Sequence, residues 1–276
     1  MVKVMAMKRL LIIFALWISG LVLGSSEIGF VFFGDAGTGS KDQYRVAQSI
    51  QKFCEHSQCD FVTLLGDNFY PSGVTGTQDP LWKKAFEIPY SALEIPFYAI
   101  LGNHDYQGNI EAQIRYSQKS KQWRMPRAYY SLTRGPVDFF FLDTNEFDQK
   151  QKKWLKEGLA KSQSPWKIVC GHHPIYSYGD HGNSEELQED LLPVIEGKVD
   201  FYLSGHDHNK QVIQKKSSDI TFIVSGAGAK TDPLKRSRGA LYTSEELGFS
   251  HFLISDKKAV LTILDKWGNS DYSTDF

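Results

Sequence analysis

Cysteine is scarce in this chain, with three residues in 276, and charge is nearly balanced at a formal −1. So few thiols exclude a cysteine-built metal site and a scaffold densely stapled by disulfides. The charge balance removes any whole-protein attraction for nucleic acid or an anionic membrane surface. No internal repeat, low-complexity tract or shift in composition marks a second domain. Long apolar runs are missing too, except at the N-terminus. There Lys3, Lys8 and Arg9 make a positive start, Leu10 to Leu23 an apolar stretch, and Gly24, Ser25 and Ser26 a small-residue cleavage region. That is the pattern of a secretory signal peptide. The apolar part is short against the roughly 20 residues of a spanning helix, and no Cys follows it to carry a lipid. Residues 1–24 are read as a signal peptide, cleaved on export to the periplasm or outside the cell. Residues 25–276 are read as one domain, monomeric and with no stable membrane anchoring after cleavage.

What the chain does have is a motif that occurs five times: a short apolar run, then Gly, then a side chain able to hold a metal. The runs end in Gly34-Asp35, Gly66-Asp67, Gly102-Asn103-His104, Gly171-His172 and Gly205-His206-Asp207-His208. Runs of this length read as buried strands, and Gly at a strand exit permits a sharp turn and close approach to a ligand. Five strands would thus carry Asp, Asp, Asn, His and a His-x-His pair to one rim of a sheet. Six of the eight histidines (His104, His172, His173, His181, His206 and His208) lie in or near these turns. Carboxylates and imidazoles in this mixture suit iron, manganese or zinc.

Amphipathic helices are expected over 41–56, capped by Ser40 or Thr38, and over 108–120, 148–160 and 184–196. Ala128–Leu132 and Val137–Leu142 read as a hairpin around Arg134-Gly135-Pro136. The segments 211–215, 219–225, 249–255 and 258–265 read as further strands. Alternating strands and helices with a strand-rich end predict an α/β fold: a four-layer α/β/β/α sandwich of two mixed β-sheets. Cys54 and Cys59 flank a short polar break and either bridge or stay free, and Cys170 reads as a buried thiol. The run Lys150, Lys152, Lys153 and Lys156 reads as a solvated helix face.

The five blocks, in this order, resemble those of the metallophosphoesterase superfamily and, within it, the mammalian-type purple acid phosphatases. The resemblance runs from about Ile28 to the C-terminal strands. The wider superfamily usually has His two residues after the first Asp, where this chain has Gly37; Tyr70, three residues after Asp67, stands where the purple enzymes replace it. A phenol ordinarily titrates near pH 10, so a phenolate ligand in acid calls for a strongly Lewis-acidic ion such as Fe(III). The resemblance implies Asp35, Tyr70 and His208 around Fe(III), and Asn103, His172 and His206 around a divalent Fe, Zn or Mn, with Asp67 bridging. Three ligand charges against five metal charges leave the cluster positive, attractive to a phosphate dianion.

A binuclear acid phosphatase follows as the expectation, with a metal-bound hydroxide attacking the phosphorus of a monoester directly. His181, nine residues after His172, falls where those enzymes carry a substrate-facing histidine and is assigned as general acid. His104, oriented by Asp105, is assigned with Asn103 to phosphate binding. His173 stands where an aromatic residue is common, and either packs or modulates the pocket. The long loop that the mammalian enzymes carry after the strand matching Phe139 to Asp143 is missing, since Asn145 leads directly into a helix, so an open site is expected. Small phosphate esters or phosphorylated substrates are the expected partners, with no nucleic acid. Two rival functions remain: a phosphodiesterase or nucleotide hydrolase using the basic loop Lys230, Lys235, Arg236 and Arg238, and a non-hydrolytic, redox-active iron protein.

Overall fold

A computed structural model describes residues 27–235 and 239–276, so the signal-peptide reading of residues 1–24 and the loop residues Arg236 and Arg238 lie outside the described residues. The first sheet has parallel strands β1 (Ile28–Phe33), β2 (Phe61–Leu64), β3 (Phe97–Ala99) and β4 (Trp123–Arg124). Three antiparallel strands, β12 (Gly248–Ser255), β13 (Lys258–Asp265) and β14 (Ser270–Asp275), extend it beyond β1. The second sheet also has seven strands, in the order β11-β9-β10-β8-β7-β6-β5. Its members are β5 (Tyr130–Arg134), β6 (Val137–Phe141), β7 (Trp166–Cys170), β8 (Phe201–Ser204), β9 (Lys210–Gln214), β10 (Thr221–Ser225) and β11 (Tyr242–Ser244).

Side chains alternate across a strand, which explains why the central strands are apolar without interruption. On β6, Phe139 and Phe141 enter the core between the sheets, while Phe140 faces the other way, toward the outer helices. Ile168 and Cys170 of β7 divide from Val169 in the same manner, as do Phe201 and Leu203 of β8 from Tyr202. Phe139 crosses between the sheets to meet Phe30 and Phe61 edge-on, at 5.1 and 5.4 Å between ring centroids. Such geometry adds about 0.5–1.5 kcal/mol per pair beyond the area buried.

The helices form the outer layers. Helix α1 (Lys41–Cys54) buries Val46, Ala47 and Ile50, and Ser40 caps it by accepting the Gln43 N–H at 3.3 Å. Thr38 supports that cap by donating its hydroxyl to Ser40 Oγ at 2.7 Å. Helix α2 (Ile110–Tyr116) is shorter than expected. Helix α3 (Gln149–Lys161) covers the second sheet with Leu155 and Leu159. The expected helix over 184–196 breaks into α4 (Glu185–Asp190) and α5 (Leu192–Ile195), because Pro193 has no N–H to continue the ladder. Lys152 of the lysine run pairs with Asp190 at 2.6 Å and ties α3 to α4. Cys54 and Cys59 are bridged; α1 ends at Cys54, so the pair does not share a helix and the two Cα atoms approach to 5.5 Å. Cys170 is a buried free thiol.

The expectation of a single rim requires correction. β1, β2 and β3 deliver Asp35, Asp67 and Asn103 from the first sheet, whereas β7 and β8 deliver His172, His206 and His208 from the second. The packed sheets set two rims side by side, and the site spans the seam at the carboxyl ends of parallel strands, the usual place for a ligand in such sheets.

Candidate metal centre

Three of the strand-exit residues hold a conformation that side chains rarely adopt. Asp35, Asp67 and His206 have φ of 60°, 51° and 71°. Strain of this kind concentrates at functional sites. The sharp turns thus fall on the metal-capable residues themselves, and the glycines beside them mainly permit close approach. A Cβ on Gly102 would stand 2.2 Å from Asp67 Oδ1, and one on Gly205 would stand 2.5 Å from Asp35 Oδ2.

The seven expected donors converge in two sets. In the first, Tyr70 Oη lies 2.8 Å from Asp67 Oδ2, 3.2 Å from Asp35 Oδ1 and 3.2 Å from His208 Nε2. In the second, Asn103 Oδ1 lies 3.0 Å from His172 Nε2 and 3.1 Å from His206 Nδ1, and those two nitrogens are 3.2 Å apart. Asp67 touches both sets, since its Oδ1 is 3.6 Å from His172 Nε2.

Proton bookkeeping shows that these donors want a cation. His172 Nδ1 must carry a hydrogen, because it donates to the Leu65 carbonyl at 2.8 Å. His208 Nδ1 donates likewise to Asp232 Oδ2 at 2.5 Å. In the neutral rings, both Nε2 atoms are therefore lone pairs. His172 Nε2 and the Asn103 carbonyl oxygen consequently face each other as two acceptors. In the other set, two carboxylates and His208 Nε2 compete for the single phenolic proton.

Protonation preferences follow from the same crowding. Burial, and then the charge of Asp67, raises Asp35 well above the usual carboxylate range. Burial and the two aspartates push the Tyr70 phenol far above its ordinary value. Burial holds His172 and His208 below the usual imidazole value and, with His172 adjacent, takes His206 to about 2. Buried acids that resist ionising, beside imidazoles that resist protonation, fit a pair of bound cations supplying the positive charge.

Three more histidines lie beside the set, His173 in its wall and the other two at its border. His104 donates Nδ1–H to the Pro71 carbonyl at 2.5 Å, packs at a tilt against Tyr70 with centroids 4.5 Å apart, and keeps Nε2 3.9 Å from Asp67 Oδ2. Asp105 does not orient it, contrary to expectation. It is fully buried and accepts from the N–H groups of Gly102 and Asn68 and from the Gln113 amide, bracing the loop from behind. His181 is exposed, and its ring lies 4.2 Å from that of His206. His173 packs as part of the wall, 4.6 Å from the His206 ring, with Nδ1 against Thr144 Oγ1 at 2.9 Å.

Three residues were given no place at the centre by the sequence. Asp207, within the Gly-His-Asp-His block, is fully buried and accepts the His181 N–H at 2.9 Å and the Ser177 hydroxyl. Asp232 fixes the tautomer of His208. Lys230 had been placed only in a basic surface loop, yet its ammonium stands 3.7 Å from the Tyr70 ring centroid. An acid inside the ligand block was the one available signal, and only for Asp207.

Known proteins share the sequence pattern and the fold. The calcineurin-like phosphoesterase family profile matches residues 28–210. The chain is 36% identical to purple acid phosphatase 7 of Arabidopsis thaliana, over 88% of this chain and 84% of that one. It is 33% identical to tartrate-resistant acid phosphatase type 5 of Mus musculus, over 94% of each chain. Among solved structures, that of GAP50, described as the anchor in the inner membrane complex of Plasmodium, superposes with a TM-score of 0.82 at 29% identity, covering 90% of this chain and 88% of that one. A purple acid phosphatase from yellow lupin seeds shares the fold, with a TM-score of 0.76 at 18% identity, over 91% of this chain and 54% of that one.

Proposed function

The chain belongs to the calcineurin-like phosphoesterase family and is an enzyme of the acid phosphatase kind, and we propose that it hydrolyses phosphate monoesters at a site for Fe(III) and a divalent Fe, Zn or Mn. The supporting observation is the division of seven donors into two sets that share Asp67. Asp35, Tyr70 and His208 would hold the trivalent ion, because their set contains the second carboxylate and the phenol. Asn103, His172 and His206, neutral donors all, would hold the divalent one. Bound there, the two cations would polarise phosphate oxygens and lower the pKa of a coordinated water.

The chain's own groups do the rest. Asn103 and His104 line the floor where a phosphate would lie, and the Pro71 carbonyl fixes the His104 ring so that Nε2 faces inward. His181, exposed beside His206, would give a proton to the departing alkoxide. Because α3 begins soon after Asn145, the connection after β6 forms no long loop among the described residues, in keeping with small, varied esters. The measurement that tests the proposal is the rate on phenyl phosphate against diphenyl phosphate, from acid to neutral pH. A monoester preference that peaks in acid supports it; a diester preference would replace it with the nucleotide-hydrolase reading.

A second reading, a protein that anchors rather than turns over, draws on the relative described as an anchor. The complete donor set with both bordering histidines favours hydrolysis, and absence of turnover on every ester would reverse the ranking. Export through residues 1–24 is part of the proposal. The Cys54–Cys59 bridge suits an oxidising compartment, and no helix among the described residues is long and apolar enough to cross a membrane. The N-terminal sequence of the purified protein checks the cleavage.

A further inference from the structure

The loop that follows β10 is fastened to the site at several points. Gly226 N–H donates to Asn209 O at 3.0 Å, Gly228 N–H to Gly34 O at 3.2 Å, Asp232 N–H to His208 O at 2.9 Å, and Lys235 N–H to Tyr178 O at 2.9 Å. These ties come from the same turns that carry the donors, so Lys230 is carried by a segment held in register with them. Its ammonium over the Tyr70 ring is a cation–π contact. The two lysines of this loop differ. Lys235 is paired with Asp180 at 3.2 Å, whereas among the described residues Lys230 forms no ion pair. Its charge is thus free to act on whatever enters the site. It also lies on the Tyr70 flank, whereas the proposed proton donor His181 lies against the His206 ring.

A single phosphate group held by two cations, Asn103 and His104 has no evident need of another positive charge. A substrate with a second anionic group does. We propose that Lys230 is a specificity-determining residue that receives a second oxyanion, carried by the phosphate ester beside its scissile phosphate. The inference rests on the phosphatase reading above. A half-exposed ion pair contributes up to about 1 kcal/mol, so the preference for a doubly anionic ligand should be about fivefold.

Calorimetry on the protein as purified, at low salt, tests this with two probes that differ by one carboxylate: ethylphosphonate and 2-carboxyethylphosphonate. Wild type should bind the carboxylated probe about fivefold more tightly. Lys230→Arg should keep the preference. Lys230→Met, which retains an apolar stem over the Tyr70 ring, should bring the two affinities together and leave that for ethylphosphonate unchanged. Equal affinities in wild type, or a preference that survives in Lys230→Met, would overturn the role of Lys230 and leave the phosphatase reading intact. Failure of wild type to bind either phosphonate would overturn the phosphatase reading itself, and this inference with it.

Discussion

Asp232 offers a way to weaken one half of the centre and spare the other. Its Oδ2 accepts from His208 Nδ1 at 2.5 Å, and it touches no donor of the Asn103–His172–His206 set. The Asp232 side chain is 41% exposed, so simple ionic attraction between it and His208 is largely screened. What it supplies is the tautomer and ring orientation that turn Nε2 toward Tyr70 and Asp35. Loss of such a supporting partner typically costs 10- to 100-fold in metal affinity, about 1.4 to 2.8 kcal/mol. Asp232→Ala should lose that much affinity for the trivalent ion, while the divalent ion, whose His172 is fixed by the Leu65 carbonyl, should be held nearly as before. Asp232→Asn keeps an acceptor oxygen and should fall between. Dialysis against a graded chelator, with iron and the divalent metal quantified separately, reads both affinities at once. Equal loss of both metals, or loss of neither, would refute the assignment of two sets.

Two further outcomes follow from the same geometry. His181→Ala should slow alkyl phosphates by about a hundredfold, the scale of a lost general acid, and nitrophenyl phosphate far less; equal losses on both would remove His181 from proton transfer. Gly205→Ala would press a methyl to within 2.5 Å of Asp35 Oδ2, so it should cost about 1–3 kcal/mol in stability, read by denaturant melts, together with bound iron; an unchanged midpoint would mean that the loop yields freely.

Most of the donor set was legible because each member sits at the end of an apolar run, where strand pattern and chemistry meet in a few residues. The pattern did not reveal that the runs divide between two sheets, since a buried strand reads alike in either. β11 and β14 escaped notice because they are edge strands, one of three half-buried residues and the other polar with four of its six residues exposed. Asp105 misled for a related reason. It follows His104 in sequence, but the chain turns between them, and the carboxylate goes inward to Asn68 and Gln113. Asp232 and Lys230 reach the site from a loop more than 20 residues beyond His208, and nothing local in that loop announces its destination.

The central claim is that Tyr70 and His208 share one cation with Asp35 and Asp67, beside a second cation held by Asn103, His172 and His206. Metal content and the visible spectrum of protein purified without chelator, wild type beside Tyr70→Phe, test it most directly. A pair of metal ions per chain, iron among them, is expected, with a phenolate-to-iron absorption band that Tyr70→Phe abolishes. A wild-type protein that is colourless in every oxidation state yet fully active, or a band that persists in Tyr70→Phe, would contradict it.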